Sequence, residues 1–87
     1  MTEEMTLEDT VDLMLSMDWE DRFLAEYYQA KIRYKKLREV LKTPSKNIPP
    51  RAVHLLSLQE ASMAAYIGVL EERAKSLGMD LNLSKAA

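Results

Sequence analysis

The apolar residues of positions 19–42 recur with a helical period. One series is spaced alternately by four and three residues: Phe23, Tyr27, Ala30, Tyr34, Leu37 and Leu41. This alternation predicts a helix that packs lengthwise on another helix, because every member of the series falls on the same side. Asp18 precedes it and is suited to cap the helix start, where free backbone N–H groups need acceptors. The pattern therefore predicts a helix over residues 19–42.

A second long helix is predicted over residues 51–77, and Gly78 follows it where helices commonly end. One mainly apolar series is expected to face the first long helix: Leu56, Gln59, Met63, Tyr66, Leu70, Arg73 and Leu77. A second stripe is apolar or small: Leu55, Leu58, Ser62, Ala65 and Val69. A helix that is apolar around most of its circumference is buried on several sides. Because a two-helix hairpin covers only one side, the sequence predicts a homo-oligomer.

A short helix is predicted over residues 7–16, where Thr6 and Asp9 have the spacing of a capping box. Residues 43–49 include Pro44, which interrupts a helix, and a connection this short joins antiparallel neighbours. The predicted fold class is all-α, with a single domain over residues 1–87. It is a short N-terminal helix followed by an antiparallel two-helix hairpin, which oligomerises through the hairpin.

Composition excludes several classes of protein. The chain has no Cys and one His, so disulfides and thiolate metal sites are excluded, and neither a metal site nor a cofactor is expected. No run approaches the roughly 18 uninterrupted apolar residues of a membrane span, and the N-terminus has no secretory signal pattern. We expect a cytoplasmic protein with no membrane partner.

Acidic and basic residues are segregated along the chain, although the net charge is only −2. Residues 1–21 contain eight acids and no Lys or Arg, whereas residues 31–42 contain six bases against Glu39 alone. Three interpretations are open: the bases bind an anion, they pair with the acidic segment of another copy, or the charged faces are simply solvated. A nucleic-acid polymer is disfavoured as a partner, because the acidic segment would repel its phosphates.

An enzymatic function is not expected. The sequence has no phosphate-binding glycine loop, no H-E-x-x-H metal motif and no nucleophile elbow. His54 is interpreted as an ordinary residue in the first turns of the second long helix. Catalytic carboxylates need a desolvated pocket to shift their pKa values, and nothing in the acidic segment predicts such a pocket.

Aromatic residues beside bases are the candidate binding groups. Trp19 either packs between the first two helices or offers a stacking face to a base, and Arg22 follows it by one turn. Tyr28, Lys31 and Lys35 share one helix face, which suits a nucleotide phosphate and its base.

Arg73 interrupts an otherwise apolar series, and a buried Arg is costly unless it is paired. Antiparallel packing places late residues of the second long helix beside early residues of the first, so Glu26 or Asp21 can supply an ion pair. The alternative is that Arg73 holds an anionic ligand. The candidate ligand-binding residues are Trp19, Arg22, Tyr28, Lys31, Lys35 and Arg73.

The chain resembles a known family at residues 19–27 and 31–37, at a proline-containing turn, and in a later series. That series is Leu55, Leu56, Gln59, Met63, Tyr66, Leu70 and Arg73. The family comprises small hairpin proteins of phages and prophages, related to the hairpin domain of phage anti-CBASS and anti-Thoeris proteins. The resemblance covers residues 7–81. It implies a non-enzymatic sponge that holds a cyclic nucleotide immune signal between protomers of an oligomer, often a hexamer.

By the same resemblance, the binding Tyr of the family falls on Trp19, and its binding Lys falls within residues 33–35. Trp keeps a stacking face but lacks the Tyr hydroxyl, so the same ligand is not implied. The alternative function is a protein–protein interaction module without a nucleotide ligand. Such a module would inhibit a host defence protein directly or serve as a phage accessory protein.

Overall fold

The chain is all-helical in a computed structural model, which describes residues 5–43 and 47–81. No strand occurs in these two ranges. The predictions that involve Pro44 or the acids of residues 1–4 lie outside them. The elements in chain order are a 3-10 turn at Glu8–Thr10, α1 at Val11–Met14, α2 at Trp19–Lys42 and α3 at Pro50–Ser76.

The first helix is shorter than the predicted span of 7–16. The capping box forms, with the Thr6 N–H donating to Asp9 Oδ2 at 2.9 Å and the Asp9 N–H donating to Thr6 Oγ1 at 3.4 Å. It opens a 3-10 turn rather than an α-helix, and the α-helical part has four residues. The predicted length was wrong, because capping fixes where a helix begins but little packing holds its end, where Leu15 is 76% exposed.

A polar contact anchors this N-terminal segment to α2. Thr10 is fully buried, and its hydroxyl donates to the Leu7 carbonyl oxygen at 2.7 Å. The Gln29 side-chain amide of α2 donates to the same Thr10 oxygen at 2.9 Å. A buried hydroxyl that lost these partners would be costly. The segment is therefore held in place partly by hydrogen bonding at Thr10.

Helix α2 begins where the sequence places its cap. Asp18 has extended backbone angles, and its Oδ1 accepts a hydrogen bond from the Glu20 N–H at 3.0 Å. The Ser16 hydroxyl donates to Asp21 Oδ2 at 2.7 Å, which ties the preceding turn to the first turn of the helix. Acids at the start of α2 and Lys42 at its end complement the helix dipole.

Helices α2 and α3 pack against each other in antiparallel directions. Early α2 meets late α3, since Tyr27 bonds to Glu71, while later α2 meets earlier α3, since Arg38 pairs with Glu60. The core between them is formed by Phe23, Tyr27, Ala30, Ile67, Leu70 and Ala74. The all-helical prediction is confirmed, and the arrangement is compatible with the predicted hairpin.

The face of α3 that meets α2 differs from the predicted one. Leu56, Met63 and Leu70 lie on it as predicted. The other packed positions, however, are Val53, Glu60, Ile67 and Ala74, whereas the predicted Gln59, Tyr66, Arg73 and Leu77 are exposed. Both series have the same alternating spacing, so periodicity alone does not separate them. Burial of Ile67 removes no polar group from water, whereas the exposed Tyr66 and Arg73 keep their polar ends hydrated.

The second stripe of α3 lies on the surface of the chain. Leu55, Leu58 and Val69 are between 47% and 58% exposed. By length and composition, α3 is also long and apolar enough to span a membrane, as core helices of soluble proteins can be. Only 11% of its most apolar 18-residue stretch is buried. The outer side of α3 is thus open to a partner, and the absence of a membrane partner stays a prediction.

The chain turns back after α3 and packs on α2. Gly78 has φ +73, and its N–H donates to the Lys75 carbonyl oxygen at 3.1 Å, while the Met79 N–H donates to that of Ala74 at 2.9 Å. This pair of bonds is the Schellman motif, whose left-handed residue is best supplied by Gly. The turn directs Met79 and Leu81 onto the core.

Candidate functional site

A basic groove of about 530 Å³ runs along α2. Its size is within the range of small-molecule sites in proteins. Met5 of the N-terminal segment lines one part of it, and the remaining lining residues come from α2. They are Tyr28, Lys31, Ile32, Tyr34, Lys35, Arg38, Glu39 and Lys42.

The spacing of α2 residues explains the charge of the groove. Tyr28, Lys31, Lys35, Arg38 and Lys42 are separated alternately by three and four residues, so they form one stripe. Four of these five side chains are cationic, and among the described residues that line the groove Glu39 is the one acid. The summed field of this face therefore attracts anions.

Arg38 is held in position from two sides. Its Nε lies 3.5 Å from Oε2 of Glu60 on α3, and its guanidinium carbon lies 5.6 Å from the centroid of the Tyr34 ring. Both partners restrict the rotamers of a long side chain, which lowers the entropy that Arg38 loses when it binds a ligand. The Arg38 side chain is still 55% exposed, so it can contact an anion in the groove.

Tyr28 forms a wall of the groove rather than a free outward arm. It is partly buried, and its hydroxyl donates to the Leu81 carbonyl oxygen at 2.9 Å. The neighbouring Tyr27 ring lies 5.8 Å away at an interplanar angle of 57°. The ammonium group of Lys31 lies 5.7 Å from the Tyr27 centroid. Aromatic faces and cations thus stand side by side at this end of the groove.

A second, shallower groove of about 510 Å³ shares Lys31 with the first. It also contains Lys75, but Glu71 and Asp80 make its charge mixed. The Tyr27 hydroxyl donates to Glu71 Oε2 at 2.7 Å. Burial raises the pKa of the Tyr27 phenol well above its usual value, and the Glu71 carboxylate raises it further. Tyr27 is therefore a neutral donor here, and this groove is less suited to anions than the first.

The other predicted binding residues lie outside the basic groove. Trp19 opens α2 and is 49% exposed, and the Arg22 guanidinium donates to the Ser16 carbonyl oxygen at 2.7 Å. The Arg73 guanidinium carbon lies 4.8 Å from the Phe23 centroid. Arg73 thus makes a cation–π contact with Phe23 in the first turns of α2. The two expectations for Arg73 were an ion pair with Glu26 or Asp21 and contact with an anionic ligand. Of the six candidates, the structure brings Tyr28, Lys31 and Lys35 together.

Among the groove residues that were not predicted from the sequence are Tyr34, Arg38 and Lys42. The signal was present for two of them, because Arg38 and Lys42 extend the spacing of Tyr28, Lys31 and Lys35 along the same stripe. Tyr34 belongs to the apolar series of α2, and only its contact with Arg38 shows that it also borders the groove.

The groove can bind anions with a flat, stacking component, such as nucleotides. Its cations can pair with phosphates, and its tyrosine rings can contact a base or a sugar. In residues 5–43 and 47–81, no group of three or more His, Cys, Asp or Glu side chains is placed to hold a metal ion.

Comparison with known proteins identifies a family for this chain. A family model described as Sequestin matches residues 17–76, which is more than half of the chain and includes α2 and α3. The N-terminal segment lies before the matched region. No curated protein and no solved structure matches the chain significantly.

Proposed function

The chain belongs to the Sequestin family, and on that premise we propose that it binds a cyclic nucleotide immune signal and holds it without converting it. The family name denotes sequestration and fits the sponge that the sequence resembles. The observation that carries the proposal is the basic groove, where four cations lie beside two tyrosines.

A cyclic nucleotide fits the groove better than an uncharged ligand. It carries phosphates for the cations of the stripe, and its bases offer planar faces to the tyrosine rings. Glu39 limits the positive charge near the C-terminal end of the stripe. The groove therefore favours a ligand with a few separated charges over a dense polyanion.

In this proposal, the protein is a homo-oligomer that works in the cytoplasm of an infected or lysogenic bacterium. By the resemblance to phage hairpin proteins, it counteracts host defence, and a hexamer is the expected assembly. The groove is a shallow face of one chain, so the ligand would be held between protomers, where a second copy covers it. The protein would act as a non-enzymatic binder, since sequestration requires only affinity.

Isothermal titration calorimetry tests this proposal. The purified protein is titrated with cyclic dinucleotides, cyclic trinucleotides and cyclic ADP-ribose isomers. We expect one class to bind, and Lys35→Gln to weaken its binding about tenfold or more, because a charge-assisted hydrogen bond contributes about 1.5–3 kcal/mol.

Arg33→Gln is the matched control. It removes the same charge from the same helix, but Arg33 does not line the groove. Its affinity should stay close to that of the unchanged protein. The proposal fails when no member of the panel binds at high micromolar concentration. Equal loss of binding in both variants would also overturn the groove as the site.

The alternative function, a protein–protein interaction module, is favoured by one specific surface. Apolar side chains at the junction of α1 and α2 are strongly exposed, with Met17 at 95% and Leu15 at 76%. Acids flank them, including Asp12 and Asp18. Such a surface suits a partner with apolar and basic residues.

A pull-down from host lysate separates the two functions. A stoichiometric protein partner that is lost with Leu15→Ser, but kept with Lys35→Gln, would favour the interaction module. Nucleotide binding that is lost with Lys35→Gln, but kept with Leu15→Ser, would favour the sponge.

A further inference from the structure

The side of α3 that faces away from α2 carries its own regular series. Leu58, Ala61, Ala65 and Gly68 are spaced alternately by three and four residues, and the series is bounded by Arg51 and Glu72. All of these residues are exposed except Gly68, which is partly buried. Small residues at the centre of a helix face allow a second helix to approach closely. The series therefore has the shape of a helix-pairing surface with charged ends.

The charges at the two ends are complementary by position. Arg51 and Glu72 lie at equal distances in sequence from the midpoint between Ala61 and Ser62. When two copies of α3 pair in antiparallel directions around that midpoint, Arg51 of each copy lies opposite Glu72 of the other. The pairing therefore forms two equivalent ion pairs, as a two-fold interface requires. Neither side chain has an ion-pair partner among the described residues.

The sizes of the side chains are complementary in the same register. Leu58 of one copy lies opposite Ala65 of the other, and Gly68 borders the same contact. A Cβ placed on Gly68 would meet nothing within 4 Å, so there is open space beside this position. Large residues thus face small ones along the interface, which permits close packing.

We infer that the outer face of α3 pairs with the same face of a second copy, antiparallel and centred between Ala61 and Ser62. This inference rests on the proposed function and specifies one interface of the proposed oligomer, separate from the contact by which another copy would cover the groove on α2. It commits to a second copy rather than a lipid bilayer, because Glu60 lies in the middle of α3 and pairs with Arg38 of α2, and charge is costly at the centre of a bilayer.

Charge reversal tests the register. Molar mass is measured by light scattering and sedimentation on the full chain without ligand, across a concentration series. We expect the unchanged protein to form dimers or larger assemblies. Arg51→Glu and Glu72→Arg should each raise the dimer dissociation constant at least tenfold, and the double variant should restore most of the affinity.

The single variants leave the helix itself intact. Glu at position 51 lies near the N-terminus of α3 and Arg at position 72 lies near its C-terminus, which are the placements that the helix dipole favours. Circular dichroism should therefore show full helicity in both. Gly68→Leu gives a second readout, because it fills space that is open in the monomer but occupied in the pair. We expect it to weaken the dimer while the helix keeps its thermal stability.

Three results would overturn the inference. They are a monomer at all concentrations, an oligomer whose mass is unchanged in both single variants, and association with phospholipid vesicles in place of self-association. The inference rests on the oligomer of the proposed function, but its test uses mass without ligand. A negative mass measurement therefore does not change the interpretation of nucleotide binding by Lys35→Gln. A negative nucleotide titration likewise does not change the interpretation of the mass measurement.

Discussion

Tyr27 combines two roles within one side chain. Its ring is buried in the core between α2 and α3, at 7% exposure, while its hydroxyl reaches the surface and donates to the Glu71 carboxylate. Its raised pKa keeps the phenol protonated in the fold. In the unfolded chain the same phenol loses its proton above about pH 10. The hydrogen bond to Glu71 and the deprotonation of Tyr27 in the unfolded chain therefore both change the free energy of unfolding.

Tyr27→Phe should lower the free energy of unfolding by about 1 kcal/mol at neutral pH, since it removes one hydrogen bond and leaves Glu71 in contact with water. Above about pH 10 the unfolded chain binds fewer protons at this position than the folded chain, so stability falls as pH rises. This part of the decline should be absent in the variant. Urea unfolding at pH 7 and pH 11 measures both effects, and an identical alkaline slope in the two proteins would contradict the assignment.

At the scale of elements, α3 shows what helical periodicity can and cannot establish. The pattern and the caps predict helices close to the bounds of α2 and α3, because Asp18, Gly78 and the prolines are local signals. Two overlapping apolar series on α3 have equal spacing, so the packed face follows from fit against α2 and from the Arg38–Glu60 pair. Local spacing also predicts that Tyr28, Lys31 and Lys35 share a basic face. That Tyr34 and Met5 border the groove, however, becomes visible only in the tertiary structure.

Paired substitutions test which face of α3 is packed. Ile67 is 6% exposed and Tyr66 is 44% exposed. Ile67→Ala should cost about 2–4 kcal/mol through lost burial and a cavity, and Tyr66→Ala should cost clearly less although Tyr is larger. Thermal unfolding at low protein concentration, where self-association is minimal, compares them. A larger loss in Tyr66→Ala would mean that the predicted face, rather than the observed one, contacts α2.

At the scale of the whole molecule, opposite charges occupy different places. The basic groove lies along the later part of α2, and acids surround the junction of α1 and α2, while the net charge is −2. An anionic ligand is therefore drawn to the groove by a local field and not by the total charge.

Salt should weaken ligand binding in this molecule more than it changes folding. The cations of the groove are largely exposed, and the screening length falls from about 10 Å at 0.1 M salt to about 3 Å at 1 M. We expect the affinity for a nucleotide ligand to fall several-fold over this range, as measured by calorimetry. The unfolding midpoint in the same buffers serves as the control, and an affinity that is independent of salt would argue against binding at the basic stripe.

The return of the chain after Gly78 has a practical consequence. The hydrogen bond from Tyr28 to the Leu81 carbonyl oxygen holds Asp80 at the second groove, which shares Lys31 with the basic groove, and the protein contains no native thiol. A single thiol introduced as Asp80→Cys would therefore be the one attachment point for a maleimide dye. Such a dye would lie next to Lys31, so its emission would change when a ligand enters. The small hairpin would then serve as a fluorescent biosensor for the molecule that it captures.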